Sequence, residues 1–285
     1  MVERFRQAGE PVSWLCAVLE VARSGYYVWR KGEPSRREQE EAALMQAIEQ
    51  SFAASQQTYG SPRVYRDLLE EGWRVSRKRV ARLMRQAGLV GRMPRRRRYT
   101  TDSAHGLPVA PNFLNREFTA TAPNQKWVGD ITYIPTAEGW LYLAVVLDLY
   151  SRKVVGWAMS TTVDANLAIA SLQVALTNRQ PPAELLYHSD RGSQYASFAC
   201  QSLLLRHGVR ISMSRTGNVH DNAVAESFYS TLKVELVHRR NFRSRAEAQW
   251  AIVAFIEGFY NRRRRHSTIG YLSPEAYERG LTPPR

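Results

Sequence analysis

Apolar residues recur along this chain with two different periods, and the change from one to the other divides it. Up to about residue 90 the period is helical. Residues 12–31 read as a short helix, a Ser24-Gly25 turn and an aromatic cluster of Tyr26, Tyr27 and Trp29. Residues 36–53 read as a helix, charged at first and apolar at Leu44, Ile48 and Phe52. Ser61 before Pro62 suits an N-cap followed by proline at the first helical position, with a stop at Gly72. Ser76 caps a further helix that Gly88 ends. On that helix Val80, Leu83, Met84 and Ala87 share one face, and Lys78, Arg82 and Arg85 lie on the opposite one. Two short helices joined by a tight turn, the second basic outside, form a helix-turn-helix-like pair suited to DNA.

Residues 91–122 have no periodicity. Arg92, then Arg95, Arg96, Arg97 and Arg98, then Pro, Gly, Ser and Thr read as a basic linker able to track a phosphate backbone. From residue 126 the period becomes that of strands. Segments 126–134, 140–147 and 153–159, joined by short turns, predict an antiparallel meander. A helix at 164–178, a strand at 184–188, a helix at 196–207 and a strand at 209–213 follow, and their alternation implies parallel pairing. Helices at about 222–238 and 245–261 complete the chain. The expected architecture is α/β, a mixed five-stranded sheet with flanking helices of ribonuclease H-like topology, preceded by an all-helical region. The parts are 1–90, a helical DNA-binding region; 91–122, a basic linker; and 123–285, a core with a C-terminal helical extension.

Composition narrows the partners. The 285 residues carry 40 Lys and Arg against 26 Asp and Glu, a net charge of +14, which points to a polyanion. The excess is present both before and after residue 122. A hydrophobic fraction of 44% with seven Trp supplies a core. Cys16 and Cys200 stand far apart, which argues against a disulfide scaffold or thiolate zinc site, and the His residues show no zinc spacing. The longest apolar run, 141–147, is far short of a membrane span. Glu3, Arg4, Arg6 and Glu10 interrupt any leader-like run, so the cytoplasm, in association with the nucleoid, is the expected location.

Three carboxylates give the chain candidate chemistry. Asp130 lies mid-strand in an apolar and aromatic segment, where an unpaired carboxylate is costly. Asp190 falls just past the strand at 184–188, at the edge where open α/β sheets place ligands, with Gly192 beside it. Thirty-five residues separate Asp190 from Glu226, which lies early in a helix whose core face is Ala225, Phe228, Leu232 and Leu236. Glu226, Ser230 and Lys233 fall within about 60° of each other on a flank of that face. Singly, each acid has an ordinary structural explanation. Jointly they suit divalent cations held against a phosphate.

The motifs around them resemble a known group. Tyr59-Gly60-Ser61-Pro62-Arg63, Asp130-Ile131-Thr132-Tyr133 and His188-Ser189-Asp190-Arg191-Gly192-Ser193-Gln194-Tyr195 belong to the likeness. So do Asp221-Asn222-Ala223 with Glu226-Ser227-Phe228, and Tyr260-Asn261-Arg262, His266-Ser267 and Gly270-Tyr271-Leu272-Ser273-Pro274. Over nearly its whole length the chain resembles the second-reading-frame product of a bacterial insertion-sequence transposase, whose catalytic core is similar to retroviral integrases. Val219-His220 and Arg265 depart from the group's usual residues, and neither removes a carboxylate.

The resemblance implies a DNA transposase with Asp130, Asp190 and Glu226 as catalytic and metal-binding residues. Two Mg²⁺ ions, replaceable by Mn²⁺, would be held with Asp130 between them, for strand cleavage and then transfer by a freed 3′-hydroxyl. Lys233 is expected on the DNA near the cleaved end. Expected partners are double-stranded DNA (transposon ends and target), further copies of the chain, and an upstream-frame DNA-binding protein or fusion. Two other functions fit the residues: a ribonuclease H-like nuclease without joining activity, and a catalytically inactive DNA-binding regulator. His188 is read as packing at a strand end, and the role of the arginine run 262–265 is left open.

Overall fold

The switch of period at residue 126 marks the start of the sheet. A computed structural model describes residues 1–32, 34–92, 107–216 and 219–281, so Arg95, Arg96, Arg97 and Arg98 lie outside the described residues. The strands are β1 (Lys126–Thr136), β2 (Gly139–Asp148), β3 (Val154–Ser160), β4 (Leu186–Ser189) and β5 (Arg210–Met213). Their order is β3-β2-β1-β4-β5, with the first three antiparallel and β1, β4 and β5 parallel. This is the mixed five-stranded sheet expected from the sequence.

The helices are α1 (Val2–Gln7), α2 (Val12–Val18), α3 (Arg23–Lys31), α4 (Arg36–Ala54), α5 (Ser61–Glu70), α6 (Arg77–Gln86), α7 (Ala165–Arg179), α8 (Ser193–Ala196), α9 (Phe198–Arg206), α10 (Ala223–Glu235), α11 (Arg245–Val253) and α12 (Pro274–Glu278). β2 is apolar on both faces because α7 and α11 both pack against it. Trp127, Val146 and Val155 of the sheet join Leu172, Leu176 and Leu204 in one core cluster. Asp164 caps α7 by accepting the Leu167 N–H at 3.1 Å.

Several boundaries differ from the sequence reading. Ser24 and Gly25 lie inside the first turn of α3 rather than in a turn. Gly60, not Ser61, is the N-cap of α5. Ala87 is exposed at the end of α6, while Val80, Leu83 and Met84 are buried as expected. The helix expected at 196–207 breaks at Ser197, whose hydroxyl caps α9 through Cys200 N–H. The helix expected at 245–261 changes to π geometry over Ala254–Tyr260.

The chain divides into two compact units, Met1–Ser51 and Phe52–Arg285. Within the second, Pro111, Phe113 and Leu114, from the stretch expected as linker, lie against β5. Phe113 and Leu114 donate their N–H groups to Ser212 Oγ at 2.9 and 3.1 Å, and Leu114 is buried. α5 is fixed to the C-terminal segment. Arg265 pairs with Asp67 at 2.5 Å and with Glu70, and donates its N–H to the Tyr59 hydroxyl at 2.8 Å. Among the described residues no helix is long and apolar enough to cross a membrane.

Candidate active site

Pleating sets where Asp130 points. Trp127 and Ile131 of β1 pack into the cluster beneath α7, so Asp130, at an even position, faces the opposite side, where α10 lies. Parallel pairing aligns Trp127 with Tyr187 and Val128 with His188. Continued two residues further, that register brings Asp190 alongside Asp130. Asp190 is held in a tight turn by Gly192, whose N–H it accepts at 3.0 Å. A Cβ on Gly192 would lie 2.7 Å from Gln194 Oε1 and 3.1 Å from Asp190 Oδ1, so a side chain there would disturb the turn.

Glu226 reaches the same region because α10 is tied to β1 on both sides of it. Asn222, just before the helix, donates Nδ2–H to the Gly129 carbonyl at 3.3 Å. One turn after Glu226, the buried Tyr229 hydroxyl sits 2.5 Å from the Asp130 carbonyl oxygen and 3.1 Å from that of Leu143. Gly129 cannot carry a side chain, since a Cβ would collide with the Tyr187 hydroxyl.

The electrostatics follow from this crowding. Burial foremost, then the Asp190 carboxylate, hold the Asp130 carboxyl well above the usual carboxylate range. Glu226 pushes the same way, while the Ile131 N–H on Asp130 Oδ1 at 2.9 Å and Lys233 oppose it. Asp130 is half-buried by accessible surface yet deep within the protein's mass, as the floor of a cleft would be. Among the described residues, no three His, Cys, Asp or Glu side chains form a ready-made metal-ligand group. Asp190 and Glu226 each lie within electrostatic reach of Asp130. Lys233 Nζ stands 4.7 Å from the Tyr133 ring centre, and Tyr133 meets Trp140 edge-on at 5.0 Å. Both rings are exposed.

Other groups near the acids were not singled out as functional from the sequence. Asp221 is fully buried and accepts hydrogen bonds from Arg215 Nη2 (2.8 Å), Arg215 Nε (2.9 Å), the Arg215 backbone (2.9 Å), Arg116 Nε (3.0 Å) and Asn112 Nδ2 (2.9 Å). The Arg215 hydrogen bond, above all, drives its carboxyl far below the usual range. It is an ionised clamp, two residues before α10. The hydroxyl of Tyr229 gave no sequence signal, because its ring also satisfies the helix's core face.

His188 is buried, with Nδ1 2.8 Å from Ser212 Oγ and Nε2 3.1 Å from Ser214 Oγ. Burial pushes its pKa down to about 4, so the ring packs neutral. In the tail run, Arg264 is buried on Glu235 at 2.6 and 2.8 Å, and Arg265 holds α5; Arg262 and Arg263 are exposed. On α6, Lys78, Arg82 and Arg85 are all exposed, with Ser76 Oγ capping the helix through the Arg79 N–H at 3.3 Å.

Comparison with known proteins bears on the family. Residues 120–219 and 207–274 match two family models, each described as an integrase core domain, and residues 38–97 match an HTH-like domain. The chain is 46% identical over 274 residues to the Escherichia coli (strain K12) transposase InsF for insertion sequence IS3A, covering 95% of each. It is 46% identical over 263 residues to the insertion element IS600 uncharacterized 31 kDa protein of Shigella sonnei, covering 92% of this chain and 97% of that one. Among solved structures, a chain of the simian T-cell lymphotropic virus intasome in complex with PP2A regulatory subunit B56 gamma aligns at 18% identity and TM-score 0.48, covering 72% of this chain and 67% of that one. The HTLV-2 integrase catalytic core domain in complex with magnesium aligns at 17% and 0.42, covering 54% and 96%. Identity of this degree, sustained from one end to the other of an InsF chain, establishes that the protein belongs to the family of insertion-sequence transposases with an integrase core.

Proposed function

We propose that Asp130, Asp190 and Glu226 are the catalytic carboxylates of a metal-dependent DNA strand-cleavage and strand-transfer reaction at the ends of an insertion sequence. What supports this reading is the Asp130 carboxyl, raised first by burial and then by the carboxylates of Asp190, just past a strand, and Glu226, on a helix. Such a cluster is unfavourable on its own and calls for a cation. Its donors are all carboxylate oxygens, which suit Mg²⁺ and also Mn²⁺. Two such ions, when bound, supply activation of the attacking oxygen and stabilisation of the leaving one.

The chain's own residues do the rest. Asp130, on the rigid mid-sheet strand, fixes the position of the site, with Asp190 and Glu226 brought to it by the register and by α10. In cleavage, water forms a bond to phosphorus as the P–O3′ bond breaks, its proton passing to O3′, which leaves a 3′-hydroxyl and a 5′-phosphate. In joining, that hydroxyl forms a bond to a target phosphorus and the target's own 3′-oxygen departs. Lys233, with Tyr133 and Trp140, would hold the cleaved end by charge and ring contact. Lys78, Arg82 and Arg85 of α6 would contact duplex DNA, with residues 95–98 adding phosphate contacts. The region 1–90 would serve DNA binding and 123–285 catalysis. Joining two ends requires two sites, hence a homo-oligomer on DNA. An upstream-frame protein or fusion would complete end recognition.

The test is a Mg²⁺-dependent cleavage and joining assay on the element's own labelled ends, repeated with Glu226→Gln. Both activities should vanish in the variant while DNA binding persists. Cleavage without joining by the wild-type chain would make it a nuclease, and full activity in Glu226→Gln would refute the assignment.

A further inference from the structure

The aromatic cluster at residues 26–29 takes no part in the site above, and it lies upstream of the HTH-like match at 38–97. Its own unit accounts for how it is displayed. Between α2 and α3 stand only residues 19–22, and Glu20 takes the left-handed conformation, φ 53°. The Val21 N–H returns to the Cys16 carbonyl at 3.0 Å and the Glu20 N–H to that of Ala17 at 3.3 Å, which turns the chain sharply. Leu15, Cys16 and Tyr26 are buried at the joint. The Tyr26 hydroxyl donates to Glu3 of α1, and Arg6 holds the other Glu3 oxygen at 2.7 Å. A buttressing helix, then two helices joined by a four-residue turn with one left-handed residue, is a helix-turn-helix arrangement, and α3 occupies the recognition position.

The exposure of α3 fits that position. With Tyr26 turned inward, the 100° step places Ser24, Val28 and Lys31 on the opposite side and Tyr27 on the adjoining flank, and all four are exposed. Arg23 and Arg30, also exposed, both lie to one side of them, nearer Tyr26. The helix carries three cations and no acid, although its unit as a whole is rich in glutamate. A protein-docking face would have no need to exclude acids so completely, whereas a helix entering a groove lined with phosphates would.

We infer that residues 12–31 form a second helix-turn-helix that reads double-stranded DNA, with α3 in the major groove. Ser24, Tyr27, Val28 and Lys31 face base edges, and Arg23 and Arg30 reach the bordering phosphates. The inference rests on the proposed function only for the choice of duplex.

The experiment uses the full chain and a duplex of the DNA flanking its own coding sequence, with a scrambled duplex as control, at one fixed salt concentration. Anisotropy gives affinity and nuclease footprinting gives the contacts. Tyr27→Ala with Lys31→Ala alters only exposed side chains, and circular dichroism melting checks the fold. Specific affinity should fall about tenfold or more, with loss of one protected patch distinct from the patch lost in Arg82→Ala. Unchanged affinity and footprint would overturn the inference, as would a wild-type chain that protects no part of the duplex. A smaller oligomer by sedimentation with intact affinity would also overturn it and make α3 a protein-docking face. Failure of the catalytic reading would appear separately, as protection without cleavage.

Discussion

Replacing Tyr229 with phenylalanine removes one oxygen and tests the tether on which the site depends. That hydroxyl lies between the carbonyl oxygens of Asp130 and Leu143, at 2.5 and 3.1 Å, in a side chain that is almost wholly buried. The ring keeps its edge contact with Phe228 at 5.4 Å, so the packing survives. A neutral hydrogen bond contributes about 0.5–1.5 kcal/mol net, and a buried acceptor left without a partner costs about 1–3 kcal/mol. In a domain of this size each kcal/mol lowers the melting temperature by about 2–4 °C. The catalytic loss should be larger than the thermal one. Glu226 sits one turn before Tyr229, so freeing α10 from β1 lets its carboxylate drift from Asp130. A displacement of about 1 Å in such a site costs on the order of 100-fold in rate. Denaturant melts and single-turnover cleavage of a labelled end, measured across Mg²⁺ concentrations, separate the two effects. The variant should cleave slowly and need more Mg²⁺ for half-maximal rate. If it loses the stated stability but keeps wild-type cleavage and Mg²⁺ dependence, the tether does not position Glu226.

Other outcomes follow from the same geometry. Because the Asp130 carboxyl is raised, the native state retains its proton where the unfolded chain has lost it, so stability falls as pH rises above about 4 toward the raised value. Metal-free Asp130→Asn should therefore melt above the wild type at pH 7 and lose that advantage below about pH 4; equal melting temperatures at pH 7 would refute it. His188 has the opposite sign of effect: kept neutral until about pH 4, it withdraws stability as pH falls below its unfolded value of about 6.5. Its ring should titrate near pH 4 by NMR, and a midpoint near 6.5 would contradict the buried placement. Arg264→Met strands Glu235 in the interior with Arg63, 3.8 Å away, as its one remaining ion-pair partner among the described residues. The loss should be about 3–5 kcal/mol in denaturant melts, and a loss below about 1 kcal/mol would show that Arg63 takes over.

The sheet was legible because its strands are unusually uniform. β1 to β3 are close together, apolar and separated by turns, which leaves little choice but a meander, and the later alternation of strand and helix leaves little choice but parallel pairing. Helix ends were less legible, since they depend on single contacts. Ser24-Gly25 has a turn's composition, yet α3 begins before it because Tyr26 is buried against α1. The glycine's cost in a helix, about 1 kcal/mol, is smaller than that anchoring. Ser197 did carry a signal, a hydroxyl three residues before the N–H it caps, but the surrounding apolar run concealed it. The π segment at 254–260 had none that periodicity could register, since its composition continues the helix before it. Burial of Arg264 and Arg265 was equally hidden: nothing in a run of four arginines tells which two meet Glu235 and Asp67 across long separations.

The contrast between Asp130 and Asp221 shows how far residue type alone can carry a site assignment. Both are aspartates near Glu226, Asp130 across from it on β1 and Asp221 five residues before it in the chain, and both belong to the motifs that carry the resemblance. Their surroundings drive them in opposite directions. Asp221 collects five hydrogen bonds from Arg215, Arg116 and Asn112 and is held ionised. Asp130 receives one backbone N–H and two neighbouring carboxylates. The two arginines on Asp221 are about half-exposed, so that pairing contributes modestly to stability, but it fixes the chain at the start of α10. A satisfied acid is therefore placed where the helix is anchored, and an acid raised by burial and two carboxylates stands where the proposed cation would sit. The repulsion among Asp130, Asp190 and Glu226 is sustained because Asp221, Asn222 and Tyr229 hold α10 against a strand from which those charges would otherwise push it.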